Sequence, residues 1–450
     1  MLLATLGCSA LAGCPDRSVS VLDPVQDNVE TKDLPAVRTA DVDILFLIDN
    51  SGSMAEEQSS LRANFGKFMD VLATIEGGMP NVHIGVATSN LGQSAGDGVG
   101  NASFGAGCVG TGDDGALRTA PSVTGRFIID EESSAGARTK NYAGTLGDAF
   151  SALADVGTGG CGIEQHLGAV KRALSSPSNA GFLRENAKLA VIFIADEDDC
   201  SLAHKSLFEG ATDGTAVNFR CTQQGIECDG GGDLTTPGLR TECQPKPDSA
   251  YLAEVDSYVD YLKSLKRNPA SDLIVAGIVG DPDPVEIIKD AQDRSILKPS
   301  CSYGGQFAYP AVRTADFLSQ FEFNVRETIC ESDLSSALVQ IGAEIKRAGG
   351  DPCFEAPLAD VDPETVGLQA DCTVSDVQRL PDGSDKELAV IPACSTGKIP
   401  CWHIELDETR CYYTSTKLSL LIERGGVLPP SDLHVKASCV TTDPGTGPVI

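Results

Sequence analysis

Positive charge is scarce in this sequence. Its 450 residues include 34 Lys and Arg against 64 Asp and Glu, so the formal net charge at pH 7 is −30. A chain of this charge is repelled by phosphate backbones and by anionic lipid headgroups, which disfavours electrostatic binding to nucleic acid or to a membrane surface. The acidic residues are spread along the chain, which is typical of a solubilising surface charge. We therefore expect no nucleic-acid partner.

The sequence also lacks several motifs of common catalytic sites. It has no GxxxxGK[ST] phosphate loop and no HExxH or HxxxH pair of zinc-binding histidines. The five histidines are scattered, and each is typical of a surface or satisfied core residue: His83, His166, His204, His403 and His434. We therefore predict that the protein is not an enzyme. A hydrolase remains the least favoured alternative.

None of the 16 cysteines forms a CxxC pair, the spacing typical of zinc ribbons and redox motifs. If Cys8 and Cys14 belong to an export signal, 14 cysteines remain, an even number that allows up to seven disulfides. Disulfides persist in oxidising compartments, so the sequence indicates a location outside the cytoplasm.

Residues 2–13 form an apolar run that is too short to span a bilayer, which takes roughly 20 apolar residues. The run ends in Leu11-Ala12-Gly13-Cys14 and resembles the lipobox of bacterial lipoprotein precursors, although no Lys or Arg precedes it. The resemblance implies that residues 1–14 hold a signal peptide with its lipobox and that Cys14 is lipidated. It also implies a lipid-anchored protein of the cell envelope, in the outer membrane or at the cell surface. The alternative is a buried N-terminal helix.

Residues 15–38 are polar and show no sustained periodicity, so they are predicted to be a flexible tether. Short apolar runs then alternate with helical periodicity over residues 39–348. This alternation is typical of an α/β domain with a doubly wound, mostly parallel sheet flanked by helices. The predicted strands are 44–48, 82–87, 127–129, 189–195 and 273–279. The predicted helices carry apolar stripes within residues 61–72, 163–174, 252–262 and 334–345.

Two insertions interrupt this pattern, at about 92–124 and 201–248. The second contains three cysteines and little hydrophobic material, so we expect disulfides rather than a core to order it. Cys301 and Cys330 are expected to bridge the end of the domain. Residues 351–450 contain six cysteines and are predicted to be a small, disulfide-rich, β-rich module with strands at 417–423 and 433–440. In this module Trp402 and Tyr412-Tyr413 form either its core, which we favour, or an aromatic recognition surface.

The most specific motif in the chain follows the strand predicted at 44–48, where the sequence reads Asp49-Asn50-Ser51-Gly52-Ser53. In an open α/β sheet, ligands bind at the carboxyl ends of the strands. A carboxylate and two hydroxyls from one tight loop suit a hard divalent cation, with Mg²⁺ expected and Ca²⁺ or Mn²⁺ as alternatives. The metal-free alternative is a turn in which Asp49, Ser51 and Ser53 only cap a helix.

The DxSxS pattern resembles the metal-ion-dependent adhesion site (MIDAS) of von Willebrand factor A (vWA) domains. The whole chain resembles the cysteine-rich vWA lipoproteins of bacterial envelopes. The resemblance implies that Asp196, which follows the apolar run 192–195, is a further metal ligand. It also implies an open coordination position that an acidic group of a protein or glycan partner fills, and hence an adhesion protein. A structural envelope protein that needs no metal is the alternative.

The sequence departs from the family at the site's threonine. Where vWA domains have a Gly-Gly-Thr turn, this chain has Gly159-Gly160-Cys161. Thr158 or a water molecule are the alternatives for the missing ligand, and Cys161 is expected to form a disulfide, with Cys108 as a candidate partner.

Overall fold

The computed structural model describes most of the chain. The described residues are 29–35, 41–75, 79–95, 98–99, 107–132, 137–208, 219–229, 232–267, 269–350, 352–380, 384–408, 411, 414–425 and 433–442. Cys14 and Tyr412-Tyr413 lie outside them. Within these ranges, no helix combines the length and the apolar character that crossing a membrane requires.

A seven-stranded sheet forms the centre of the molecule. Its strands lie in the order Phe323–Thr328, Leu273–Val279, Lys188–Ala195, Asp41–Ile48, Asn81–Thr88, Ile128–Glu132 and Arg138–Lys140. The first five are mutually parallel, and the last two extend the sheet as an antiparallel hairpin. The predicted mixed α/β fold with a largely parallel sheet is confirmed at this level.

Helices cover both faces of the sheet because its central strand is apolar on both sides. Ile44, Phe46 and Ile48 point to one face, which is covered by the helices Ala55–Leu72, Leu146–Leu153 and Ser335–Ala348. Leu45 and Leu47 point to the other face, which is covered by the helices His166–Ser175, Val255–Ser264 and Val312–Ser319. The strand period of two therefore divides one apolar run between two cores.

The 14 cysteines outside the N-terminal segment form seven disulfides. The pairs are Cys108–Cys161, Cys200–Cys221, Cys228–Cys243, Cys301–Cys330, Cys353–Cys411, Cys372–Cys439 and Cys394–Cys401. The expected pairs Cys108–Cys161 and Cys301–Cys330 are among them. Such a set is typical of proteins that fold in an oxidising compartment.

The expectation that disulfides would order the second insertion without a core was wrong in part. Phe219, Ile226 and Leu234 pack against Val285 and Ile287, so the insertion shares a small apolar core with the chain that follows it. This core could not be predicted from the insertion alone, because half of its residues lie outside the insertion.

The C-terminal module contains a four-stranded antiparallel sheet in the order Val29–Pro35, Leu433–Val440, Cys372–Arg379 and Asp385–Ile391. The hairpin Cys401–Leu406 and Leu418–Glu423 packs beside it. Trp402 is buried in this core, as expected.

The prediction of a flexible tether over residues 15–38 was wrong for Val29–Pro35. This segment is an edge strand paired with Leu433–Val440. A single polar strand with its partner about 400 residues away gives no local periodicity, since its pairing is decided entirely by tertiary structure.

Candidate metal centre

Asp49 and Asp196 come together because they follow neighbouring parallel strands. Ile48 pairs with Ile194, and the backbone NH of Asp49 donates to the Ile194 carbonyl at 2.9 Å. The chain leaves the central strand Asp41–Ile48 for Asn81–Thr88 on one side and later returns to Lys188–Ala195 on the other. This reversal opens a crevice at the carboxyl ends of the strands, the usual ligand position in such sheets.

The loop after the central strand presents a compact set of oxygen atoms. The Ser51 hydroxyl donates to Asp49 Oδ2 at 3.2 Å, and the Ser51 and Ser53 hydroxyl oxygens are 3.1 Å apart. Two adjacent ligands of an octahedral Mg²⁺ with bonds of roughly 2.1 Å lie about 2.9 Å apart. The spacing of these oxygens therefore fits neighbouring positions around one hard cation.

The two aspartates repel each other at short range. Burial raises the pKa of Asp49 well above its usual range, and the negative charge of Asp196 raises it further. Burial also raises the pKa of Asp196, although hydrogen bonds from the side chains of Ser53 and Asp49 oppose this shift. Asp196 Oδ1 is buried and has no hydrogen-bond partner among the described residues. A buried oxygen without a partner beside a second carboxylate is what a cation would satisfy.

Two supporting residues were not predicted from the sequence. The Ser89 hydroxyl donates to Asp49 Oδ1 at 3.1 Å, and Gln58 Nε2 donates to the carbonyls of Asp49 and Gly157, both at 3.0 Å. Ser89 directly follows the strand Asn81–Thr88, so its position at the sheet edge was a usable signal. Gln58 lies on a helix, and nothing in its sequence context marks it.

The Gly159-Gly160-Cys161 turn contacts the first loop through its backbone. The NH of Gly160 donates to the Asn50 carbonyl at 2.8 Å, and a Cβ on Gly160 would lie 2.1 Å from Asn50 Oδ1. Only glycine fits this approach. Cys161 is bonded to Cys108 and is not a metal ligand, while Thr158 is exposed.

Removing the Cys108–Cys161 disulfide by a double Cys→Ser substitution should weaken both the fold and metal binding. The bridge closes a loop with a sequence separation of 53, which corresponds to about 4 kcal/mol in the chain-entropy account. It also holds the turn that contacts Asn50, so the Kd for Mn²⁺ should rise at least tenfold in calorimetry. The Cys394–Cys401 double variant is the control, since its bridge has a separation of 7 and lies in the C-terminal module. Equal Mn²⁺ affinity in all three proteins would contradict this prediction.

Three glutamates surround the two aspartates. Glu164 precedes the helix His166–Ser175 and is buried, and burial raises its pKa, with repulsion from Glu197 and Asp49 adding to the shift. Burial likewise raises the pKa of Glu197, and the charge of Asp196 adds to it. Glu57, in the first turn of its helix, also faces Asp196, and burial raises its pKa. The sequence did not mark Glu164 or Glu57.

Residues 196–199 are four consecutive acidic residues, and they have two different roles in the structure. Asp198 accepts from the NH groups of Arg313 and Thr314 at 2.9 and 3.0 Å, and Asp199 accepts from the Arg313 guanidinium at 3.1 Å. Burial raises the pKa of Asp198 to about 6. Asp198 and Asp199 therefore anchor the helix Val312–Ser319, while Asp196 and Glu197 face the crevice.

The segment Gly92-Gln93-Ser94-Ala95-Gly96 has the GxSxG spacing of a nucleophile elbow, which the prediction of no enzyme had wrongly taken to be absent. An elbow needs a strand, a sharp turn and a helix. Here Ser94–Ala95 instead pairs with Gly98–Val99 in a short hairpin, and Ser94 is buried. The segment therefore does not have the geometry of a nucleophile elbow.

One other group of metal-type side chains lies close together among the described residues. Atoms of Cys394, His403 and Glu423 lie within 4.8 Å of one another. Cys394 is bonded to Cys401, so its sulfur has no thiolate to offer, and two ligands remain. This group does not make a metal site.

Similarity to known proteins is found in three-dimensional structure rather than in sequence. No family model matches the chain, and no curated protein matches it. The conserved hypothetical protein BatB from Bacteroides thetaiotaomicron is similar at 12% identity and a TM-score of 0.27, over 68% of this chain and 98% of that one.

Two further solved structures are similar at the same level. A von Willebrand factor type A protein from Catenulispora acidiphila has 10% identity and a TM-score of 0.28, over 93% of this chain and 66% of that one. The pilus adhesin RrgA from Streptococcus pneumoniae has 12% identity and a TM-score of 0.28, over 94% and 60%. Scores this low do not define a shared fold. The assignment of this fold therefore rests on the strand order and loops of the chain itself.

Proposed function

We propose that the α/β part of this chain is a vWA-type domain that binds a divalent cation through Asp49, Ser51, Ser53 and Asp196, and through it an acidic group of a protein or glycan partner. Mg²⁺ is the expected ion, with Ca²⁺ or Mn²⁺ as alternatives. The observation on which the proposal rests is the meeting of Asp49 with Asp196 at the sheet edge, with Asp196 Oδ1 buried and without a partner among the described residues.

The ligand set explains why a partner would be acidic. Two carboxylates and two neutral hydroxyls leave a divalent cation short of ligands, so a further oxygen can complete its coordination sphere. The protein has a formal net charge of −30, which repels an acidic ligand in the absence of metal. Binding of an acidic ligand should therefore depend strictly on the cation.

A metal-independent structural role and a hydrolase are the competing proposals. The carboxylates gathered at the crevice favour cation binding over a purely structural role, because repulsion between buried like charges destabilises the fold without a compensating ion. The hydrolase is disfavoured by the hairpin position of Ser94. The anchoring of the chain through Cys14 in the cell envelope remains part of the proposal.

Loading the protein with Mn²⁺ and measuring water proton relaxation tests the function directly. We expect bound Mn²⁺ to raise relaxivity through a coordinated water molecule, and a tetrapeptide with one aspartate to lower it by displacing that water. The same peptide with asparagine should have no effect. Changing Ser51 and Ser53 together to alanine should raise the Kd for Mn²⁺ at least tenfold, whereas Ser264→Ala, at an exposed helix end, should not change it.

Two results would contradict the proposal. If Mn²⁺ binding is unaffected by the loss of both serines, the cation does not bind at the proposed site. Unchanged relaxivity at millimolar aspartate peptide would leave a metal site without an open position, and would favour the structural role.

A further inference from the structure

A second pair of carboxylates lies beside the first, on the wall of a cavity. Glu164 and Glu197 line this cavity, which has a volume of about 260 Å³. The backbone holds the two loops together, because the NH of Cys200 donates to the Glu164 carbonyl at 2.7 Å. The side chains of the two glutamates are in hydrogen-bond contact.

Glu164 is incompletely satisfied in this position. Its side chain is only 3% exposed, and its Oε1 atom is buried with no hydrogen-bond partner among the described residues. Arg294, the one basic residue among the described residues that line the cavity, is paired with Asp290 at 2.7 Å. Two buried carboxylates in contact are costly when both are ionised, and the free Oε1 atom leaves room for a further ligand, so this arrangement is completed by a proton or by a cation.

The two carboxylate pairs do not form one larger site. Around a single ion with oxygen ligands at roughly 2.3–2.6 Å, any two ligand atoms lie at most about 5 Å apart. Among the described acidic side chains, no three bring ligand atoms within 4.8 Å of one another. Asp49 with Asp196 and Glu164 with Glu197 therefore define two neighbouring positions.

We infer that Glu164 and Glu197 hold a second, hydrated divalent cation on the cavity wall, beside the ion proposed for Asp49, Ser51, Ser53 and Asp196. Two carboxylates with several water molecules are a typical Mg²⁺ environment. Water occupies roughly 30 Å³ per molecule in the liquid, so the cavity has room for that hydration shell. The inference uses different ligands from the proposed function and stands or falls separately from it. The alternative is a proton shared between the two glutamates.

Counting bound Mn²⁺ by electron paramagnetic resonance tests the inference. We expect two tightly bound equivalents in the unaltered protein and one in Glu164→Gln, which keeps the shape and removes one charge. Glu197→Gln should give the same loss, and it provides a second reading if Glu164→Gln folds poorly by circular dichroism. Glu185→Gln is the matched control, because Glu185 is an exposed glutamate in a surface ion pair with Arg267. It should leave two equivalents.

The outcomes separate the two sites. The unaltered protein could bind a single equivalent that is lost in Asp49→Asn but retained in Glu164→Gln and Glu197→Gln. This result would overturn the second site and indicate the shared proton. It would leave the proposed function intact. A single equivalent lost only in the two glutamine variants would overturn the proposed function and keep the second site. No tight Mn²⁺ in the unaltered protein would overturn both.

Discussion

Replacing Arg313 with methionine should destabilise the protein by about 3–5 kcal/mol, because it leaves a buried carboxylate unpaired. Arg313 is 1% exposed and donates to Asp199 Oδ2 at 3.1 Å and to the Ala253 carbonyl at 2.7 Å. Asp199 is equally buried, so water cannot replace the guanidinium. Urea unfolding measured by circular dichroism would give the free energy of unfolding.

A double-mutant cycle distinguishes the loss of the ion pair from the loss of packing. Asp199→Asn removes the charge that Arg313 compensates, so the double variant should be less destabilised than the sum of the two single variants. Arg267→Ala is the surface control, since its pair with Glu185 is exposed on both sides and such pairs contribute little. Additive effects of the two buried substitutions would show that the charges are not coupled.

Replacing Asp49 with asparagine should stabilise the metal-free protein and remove the part of its response to Mg²⁺ that comes from the Asp49 site. The side chain is fully buried against Asp196, and an amide of the same shape removes the repulsion between the two carboxylates. Cation binding at a concentration of 100 Kd stabilises a protein by about 2.7 kcal/mol, and the variant should lack this gain. For a domain of this size, the Asp49 site should then raise the melting temperature of the unaltered protein in Mg²⁺ by about 4 °C.

Thermal melts of both proteins, with Mg²⁺ and with EDTA, give the four temperatures needed. Asp49→Asn should show a smaller difference between the two conditions than the unaltered protein does, and it should melt above the unaltered protein in EDTA. Asp70→Asn is a suitable control, because Asp70 is an exposed residue of the helix Ala55–Leu72 and should leave the Mg²⁺ response unchanged. An Asp49→Asn variant that retains the full Mg²⁺ response would show that the ion binds elsewhere.

Much of the sheet could be predicted because its strands are continuous apolar runs. Residues 44–48 and 273–279 were assigned to strands that the structure gives as Asp41–Ile48 and Leu273–Val279. The edge strand Phe323–Thr328 was missed because its side chains alternate between partly buried and exposed, which leaves no apolar run. The helix Leu146–Leu153 was also missed, although Thr145 and Asp148 form a capping box at its start.

The residues of the candidate metal centre that lie in one loop were predicted from the sequence. Those that come from distant parts of the chain were predicted only incompletely. Asp49, Ser51 and Ser53 lie within five residues, so their convergence follows from one tight loop. The position of Asp196 at the same sheet edge as Asp49 follows from the strand before it. Glu164 was not found, because it follows no strand and reaches the crevice only through the packing of its loop against residues 196–200.

The sequence by itself determined the alternation of strands and helices, the number of cysteines available for pairing, and the oxygen-rich loop at Asp49. These depend on neighbours along the chain, since side-chain period and turn chemistry act over a few residues. Only the tertiary structure decided which carboxylates face each other, how the cysteines pair, and that Val29–Pro35 joins a strand about 400 residues away. Those contacts depend on strand order and register, which bring distant residues to one edge without leaving a local pattern.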